Sequence, residues 1–148
     1  MRLPAWSRPP RVYVDAKILN MHDPSLPREA YVGYVAEGGK PSGARRLGDE
    51  EVGMIGRLET DDAEILAILF AINDLKATMK RLTVVCNHES VVSEATRDVV
   101  KNPSPLMAKL RETLELKSPA VRLEVLKANP AHGVVTEYVN RLKPSVVQ

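Results

Sequence analysis

The chain has 148 residues, enough for one domain with a single core, and 44% hydrophobic and 27% charged residues mark an ordinary globular composition. A formal charge of +2 permits a polyanionic partner but argues against a dedicated electrostatic nucleic-acid binder, which carries more basic charge. The one cysteine, Cys86, excludes an internal disulfide and a cysteine zinc motif, and no apolar stretch has the length of a membrane span or signal peptide, so a cytoplasmic location is expected. Aromatic residues are only 4%, so the core is expected to consist mainly of Val, Ile, Leu and Ala. A single glutamine, Gln148, and 11 prolines lean toward a thermophilic source.

Residues 1–10, "MRLPAWSRPP", read as a proline-rich arm that Trp6 could dock, ahead of a single domain over 11–148. "RVYVDAKI" alternates Val12, Val14 and Ala16 against Arg11, Tyr13 and Asp15, which predicts a strand with a carboxylate near its end. A loop punctuated by Pro24 and Pro27 leads to "EAYVGYVAEGG", a second strand closed by Gly38, Gly39 and Pro41. "SGARRLGDE" reads as a polar connection and "EVGMIGRLE" as a third strand.

"TDDAEILAILFAINDLKATMKR" predicts a helix over 60–80. Ile65 to Ile72 is apolar on every face, so this helix should be buried, and Asp61 with Glu64 has the spacing of a capping box. "LTVVC" is short and β-branched, a fourth strand. The helix "ESVVSEATRDVV" stops before Pro103, and "SPLMAKLRETLEL" carries Leu106, Leu110 and Leu114 on one stripe. "VRLEVLK" is a fifth strand, "ANPAHG" a loop and "VVTEYVNRL" the last helix.

The order βββαβααβα predicts a mixed α/β fold: a five-stranded sheet of order 3-2-1-4-5 with helices on both faces. Strands one and four would then be neighbours, with Asp15 and Asn87 meeting near the start of the buried helix. Active sites of α/β folds favour such strand ends.

In this order and these local patterns, the chain resembles the ribonuclease H family from about Arg11 to Leu142. "YVDAK" is similar to the family's first strand, with Asp15 in the place of its first catalytic aspartate. "TDDAEILAILFAINDL" resembles the helix bearing the catalytic glutamate, and Glu64 falls on it. "VVCNHESVV" resembles the fourth-strand motif and "HGVVTEYVNRL" the final helix, but Asn87 and Asn140 stand where the family has aspartates. Ala16 and Thr136 also depart from the family pattern, where glycine and asparagine are usual.

The resemblance implies RNA cleavage in RNA–DNA hybrids with Mg²⁺ or Mn²⁺, ions that stabilise the attacking and leaving oxygens. Asp15, Glu64, Asn87 and Asn140 would form the catalytic set, with His132 assisting proton transfer. Two amides in place of two carboxylates imply a reduced or lost metal site. Asp15 and Glu64 would hold the ion, joined by Glu89 if it substitutes for Asn87.

Each residue also has a plainer reading. Asp15 could be a solvated strand end, Glu64 a capping partner, Asn87 a turn former and Glu89 a helix N-terminal acid. His88 reads as a surface residue, and His132 equally as an exposed loop histidine. Lys17, Lys40, Arg45 and Arg46 could touch phosphates. Three functions follow: a nucleic-acid-binding domain with a reduced site, an active Mn²⁺- or Mg²⁺-dependent hybrid ribonuclease using Glu89, and a non-catalytic adaptor with a protein partner.

Overall fold

The structure is a computed structural model that describes residues 9–20, 23–55, 60–118, 120–127 and 130–142. Its elements run β1 (Arg11–Leu19), β2 (Glu29–Ala36), β3 (Ser42–Arg46), α1 (Asp49–Met54), α2 (Thr60–Leu75), β4 (Leu82–Cys86), α3 (Glu89–Thr96), α4 (Pro105–Lys117), β5 (Val121–Val125) and α5 (Ala131–Leu142). The expected arm lies outside the described residues over 1–8.

One mixed sheet has the order β3-β2-β1-β4-β5. β1 is central, antiparallel to β2 and parallel to β4, and β5 continues the parallel half. The parallel pairs are reached through helices, as a parallel connection requires. Val12, Val14, Val32 and Val84 point from the sheet into one core, against Ile65, Ile68 and Ile72 of α2. Each such fully buried aliphatic side chain contributes roughly 1.5–3 kcal/mol relative to exposure. α3 and α4 complete this layer through Val91, Leu106 and Leu110. The opposite face carries a much smaller core of Tyr31, Val135 and Val139, which seats α5. Among the described residues no helix is long and apolar enough to cross a membrane.

The third strand lies earlier than the sequence pattern predicts. "SGARR" forms β3, pairing Tyr31 with Arg46 and Val35 with Ser42, and the segment predicted as strand opens as helix α1. Two local causes decide this. The tight turn at Gly38 and Gly39, with positive φ of 93° and 96°, folds the chain straight back so that its next residues must pair. Asp49, Glu50 and Glu51 then favour a helix N-terminus, and the Gly48 N–H donates to Glu51 Oε1 at 3.0 Å. Residues 56–59 of the predicted strand lie outside the described residues.

Three helix limits also shift. α2 ends at Leu75 rather than Lys80, because the N–H groups of Thr78 and Met79 both donate to the Leu75 carbonyl in a closing turn. α3 stops at Thr96, where the Arg111 guanidinium donates to the carbonyls of Glu94, Arg97 and Asp98 and takes up the freed acceptors. α5 begins at Ala131, directly after Pro130, whose fixed φ suits a helix start. His132 is therefore in the first turn of a helix rather than in a loop.

Candidate active site

β1 and β4 run parallel, with Tyr13 level with Val85, so the carboxyl end of β4 arrives beside Asp15. On its other side Asp15 is opposite Gly33 of β2. A Cβ on Gly33 would stand 2.7 Å from Val135 Cγ2, so this glycine lets α5 lie close on the sheet. One turn before Val135, His132 Nδ1 comes to 3.0 Å from Asp15 Oδ2. Asp15 is buried at 7% exposure, while the His132 side chain remains largely in solvent.

Glu64 projects from the first turns of α2 and is 1% exposed. Its Oε1 is buried and has no hydrogen-bond partner. Burial, then the negative charges of Asp15 and Asp61, push its pKa up to about 8. At neutral pH the carboxyl therefore holds a proton. These effects place Asp15, Asp61 and Glu64 in one electrostatic environment.

Asp61 does not act as the cap that its spacing suggests. It lies within α2, and its carboxylate is held across the site by the next strand–helix junction. Its Oδ1 is 2.9 Å from His88 Nδ1, and its Oδ2 accepts from Ser90 Oγ at 2.9 Å. The other nitrogen of His88, Nε2, lies 3.7 Å from Glu64 Oε2. His88 is thus not a plain surface residue; it is half-buried between two acids. With its proton on Nδ1 the imidazole donates to Asp61, and a second proton on Nε2 would face Glu64.

The other residues singled out from the sequence come from β1, β3, α3, α5 and the segments after β2 and β4. Asn87 and Asn140 are exposed, and neither hydrogen-bonds to Asp15 or Glu64. Glu89 is exposed in the first turn of α3, the position of an acid favouring a helix N-terminus. Lys17 shares β1 with Asp15 two residues on. Lys40 follows the turn that ends β2, beyond the Val12–Ala36 pair and hence near the amino end of β1, with Asp15 at mid-strand. Arg45 is committed to Glu51 in a two-pronged pair at 2.9 and 2.6 Å and stacks over Phe70. Arg46 pairs with the buried Glu29 at 3.0 Å.

Searches against solved structures return likenesses over nearly the whole chain. LC11-RNase H1, isolated from compost by a metagenomic approach, is 19% identical with a TM-score of 0.65, covering 90% of this chain and 97% of that one. The fold is ribonuclease H-like. The same LC11-RNase H1 in complex with RNA/DNA hybrid matches at 18% identity and a TM-score of 0.63, over 90% and 98% of the two chains. RNase H1 from the halophilic archaeon Halobacterium salinarum NRC-1 matches at 17% and 0.55, over 90% and 99%. No family model matches the sequence, and no curated protein matches it.

Ribonuclease H chemistry implies a divalent ion, and the residues can be tested for fit. Glu64 Oε1 is a buried acceptor without a donor, in the field of two further acids, which a cation would relieve. Among the described residues, however, no three His, Cys, Asp or Glu side chains converge as a ligand set. Asp61 is occupied by His88 and Ser90. A hard ion such as Mg²⁺ completes its shell with water or substrate oxygens, and an ion at Glu64 would depend on such oxygens.

Proposed function

We propose that this chain is a nucleic-acid-binding ribonuclease H-like domain whose metal-dependent site for cleaving RNA in RNA–DNA hybrids is reduced. The observation that carries the reading is at Glu64: the β4–α3 junction presents a histidine, His88, to this buried acid and supplies no carboxylate of its own there. Asp15, and Glu64 once a cation displaces its proton, would serve as the anionic ligands for Mg²⁺ or Mn²⁺. Such an ion, when bound, would stabilise charge on the oxygens of a phosphodiester. His132 would move a proton through Nε2 while its Nδ1 is oriented by Asp15. Asn87 and Asn140, both exposed, would contribute hydrogen bonds at the site mouth without charge. Lys17, two residues beyond Asp15 on β1, would meet a phosphate there; Arg45 and Arg46 would first have to leave Glu51 and Glu29.

The hybrid as ligand class follows the likeness to LC11-RNase H1, which has been solved with RNA/DNA hybrid. The test combines hybrid binding, hybrid cleavage in Mg²⁺ and Mn²⁺, and calorimetric Mn²⁺ binding. Wild type, Asn87→Asp, His88→Asp and Asn140→Asp are compared. We expect the wild type to bind hybrid but to cleave it weakly or not at all in Mg²⁺. An added carboxylate, above all His88→Asp, should tighten Mn²⁺ at least tenfold. Strong Mg²⁺-dependent cleavage by the wild type, abolished by Glu89→Gln, would show instead an active enzyme completed by Glu89. Failure to bind hybrid at all would leave the adaptor role.

A further inference from the structure

A second feature lies away from these acids. α2 and α4 border a groove, formed by cavities of about 670 Å³ and about 370 Å³ that share Ile72, Lys76 and Lys117. Leu66, Leu69, Phe70, Asn73 and Lys76 follow the i, i+3, i+4, i+7 pattern on α2 and the turn that ends it. That face differs from the one carrying Asp61, Glu64 and Ile68.

The groove has two chemical parts. Its floor is apolar: Leu69, Phe70 and Met79 are only partly buried, and Leu116 stands 78% exposed at one end. Its rim is cationic. Lys109 and Lys117 stand eight residues apart on α4, about 12 Å along the helix axis. Lys76 and Lys80 line the end formed by α2 and its closing turn. Among the described residues none of these four lysines forms an ion pair with a carboxylate. The one acid lining the groove, Glu51, is already held by Arg45, though Lys109 also lies within its field.

We propose that this groove docks an acidic peptide segment of a partner protein, one that carries apolar side chains between its carboxylates. Charge complementarity requires an anionic occupant, and four rim lysines without carboxylate partners set its sign. The floor decides between anionic classes. A duplex turns its phosphates outward and keeps its bases stacked inside, so it would cover Leu69, Phe70 and Leu116 with little apolar gain. A peptide of alternating acidic and apolar residues satisfies both parts, with apolar anchors on the floor and carboxylates on the rim. The inference does not depend on the metal chemistry at Glu64.

The test uses the full chain and a fluorescein-labelled peptide of alternating Asp and Phe or Leu residues, with a Lys-for-Asp peptide as control. Anisotropy reads affinity, and amide chemical shifts read location. The acidic peptide should bind saturably, with shifts confined to residues 66–82 and 109–121. Lys109→Glu with Lys117→Glu should weaken binding at least tenfold, and Leu69→Ser should weaken it at unchanged charge. Asp15→Asn should leave affinity unchanged. Thermal unfolding of each variant confirms that the fold persists. Absence of saturable binding, equal binding of the Lys peptide, or shifts outside the groove would overturn the proposal. Displacement of the peptide from the groove by a DNA oligonucleotide of equal charge would assign the groove to nucleic acid instead.

Discussion

Glu64 is a carboxyl stored in the wrong solvent: 1% exposed, one oxygen without a donor, two like charges nearby. Its folded pKa of about 8 is above the ordinary 4.5, so between these values the folded state binds more protons than the unfolded one. The stability this proton contributes is full below about pH 4.5 and is lost as pH rises to about 8. Without divalent ions, Glu64→Gln should therefore flatten the pH dependence and raise stability at pH 8.5 by on the order of a few kcal/mol relative to wild type. Denaturant unfolding at pH 5 and pH 8.5 checks this; equal losses in both proteins would show that Glu64 is not the group responsible. Part of the candidate site is legible in the sequence. Asp15 and Glu64 stood out as a strand-end acid and an acid at the mouth of an apolar helix. The Asp61–His88 contact could not be read, because its partners are 27 residues apart and each has a sufficient local explanation as cap or turn. The sequence signal there is the polar cluster 87–90 at the end of an apolar strand, in which His88 carries no mark that sets it apart from Asn87.

At the scale of elements, His132 depends on how closely α5 approaches the sheet. Gly33 sets that distance, since any Cβ there meets Val135 at 2.7 Å and the Gly43 carbonyl at 3.1 Å. Gly33→Ala should cost about 1–3 kcal/mol through overpacking. It should also move His132 away from Asp15, seen as a change in the His132 imidazole resonances with those of His88 unmoved. Coincident changes in both histidines would mean that the whole sheet had shifted. The same elements show where sequence patterns suffice. β1, α2 and β4 were legible because alternation or continuous apolarity reports burial directly, and these elements form the centre of the molecule. β3 was not legible. It is an edge strand whose "SGARR" lacks apolar alternation, and it exists because a tight glycine turn aligns it with β2. The six residues of α1 gave no helical period to detect, only acids at the right end.

The molecule as a whole is a sheet with unequal layers. On one side α2, α3 and α4 bury a continuous core; on the other, α5 is seated by Tyr31, Val135 and Val139, with Leu19 and Tyr138 at the margin. Local stability follows buried apolar contact, so α5 should open on its own while α2 exchanges only when the chain unfolds. The partition crosses the candidate site. Asp15, Glu64, Asp61 and His88 belong to β1, α2 and the β4–α3 junction, whereas His132 and Asn140 ride on α5. Opening of α5 would therefore remove His132 while leaving the acids in place. Val135→Ala should cost roughly 1–2 kcal/mol, and Ile68→Ala in the main core about 2–5 kcal/mol. Native-state hydrogen exchange separates the two. Val135→Ala should lower protection in residues 131–142 well beyond any change in residues 63–72, with Mn²⁺ affinity retained. Ile68→Ala should lower protection in α2 and the central strands by its full cost. Equal loss of protection in α2 and α5 on Val135→Ala would show that the two layers unfold as one unit, and His132 would then be as firmly held as Glu64.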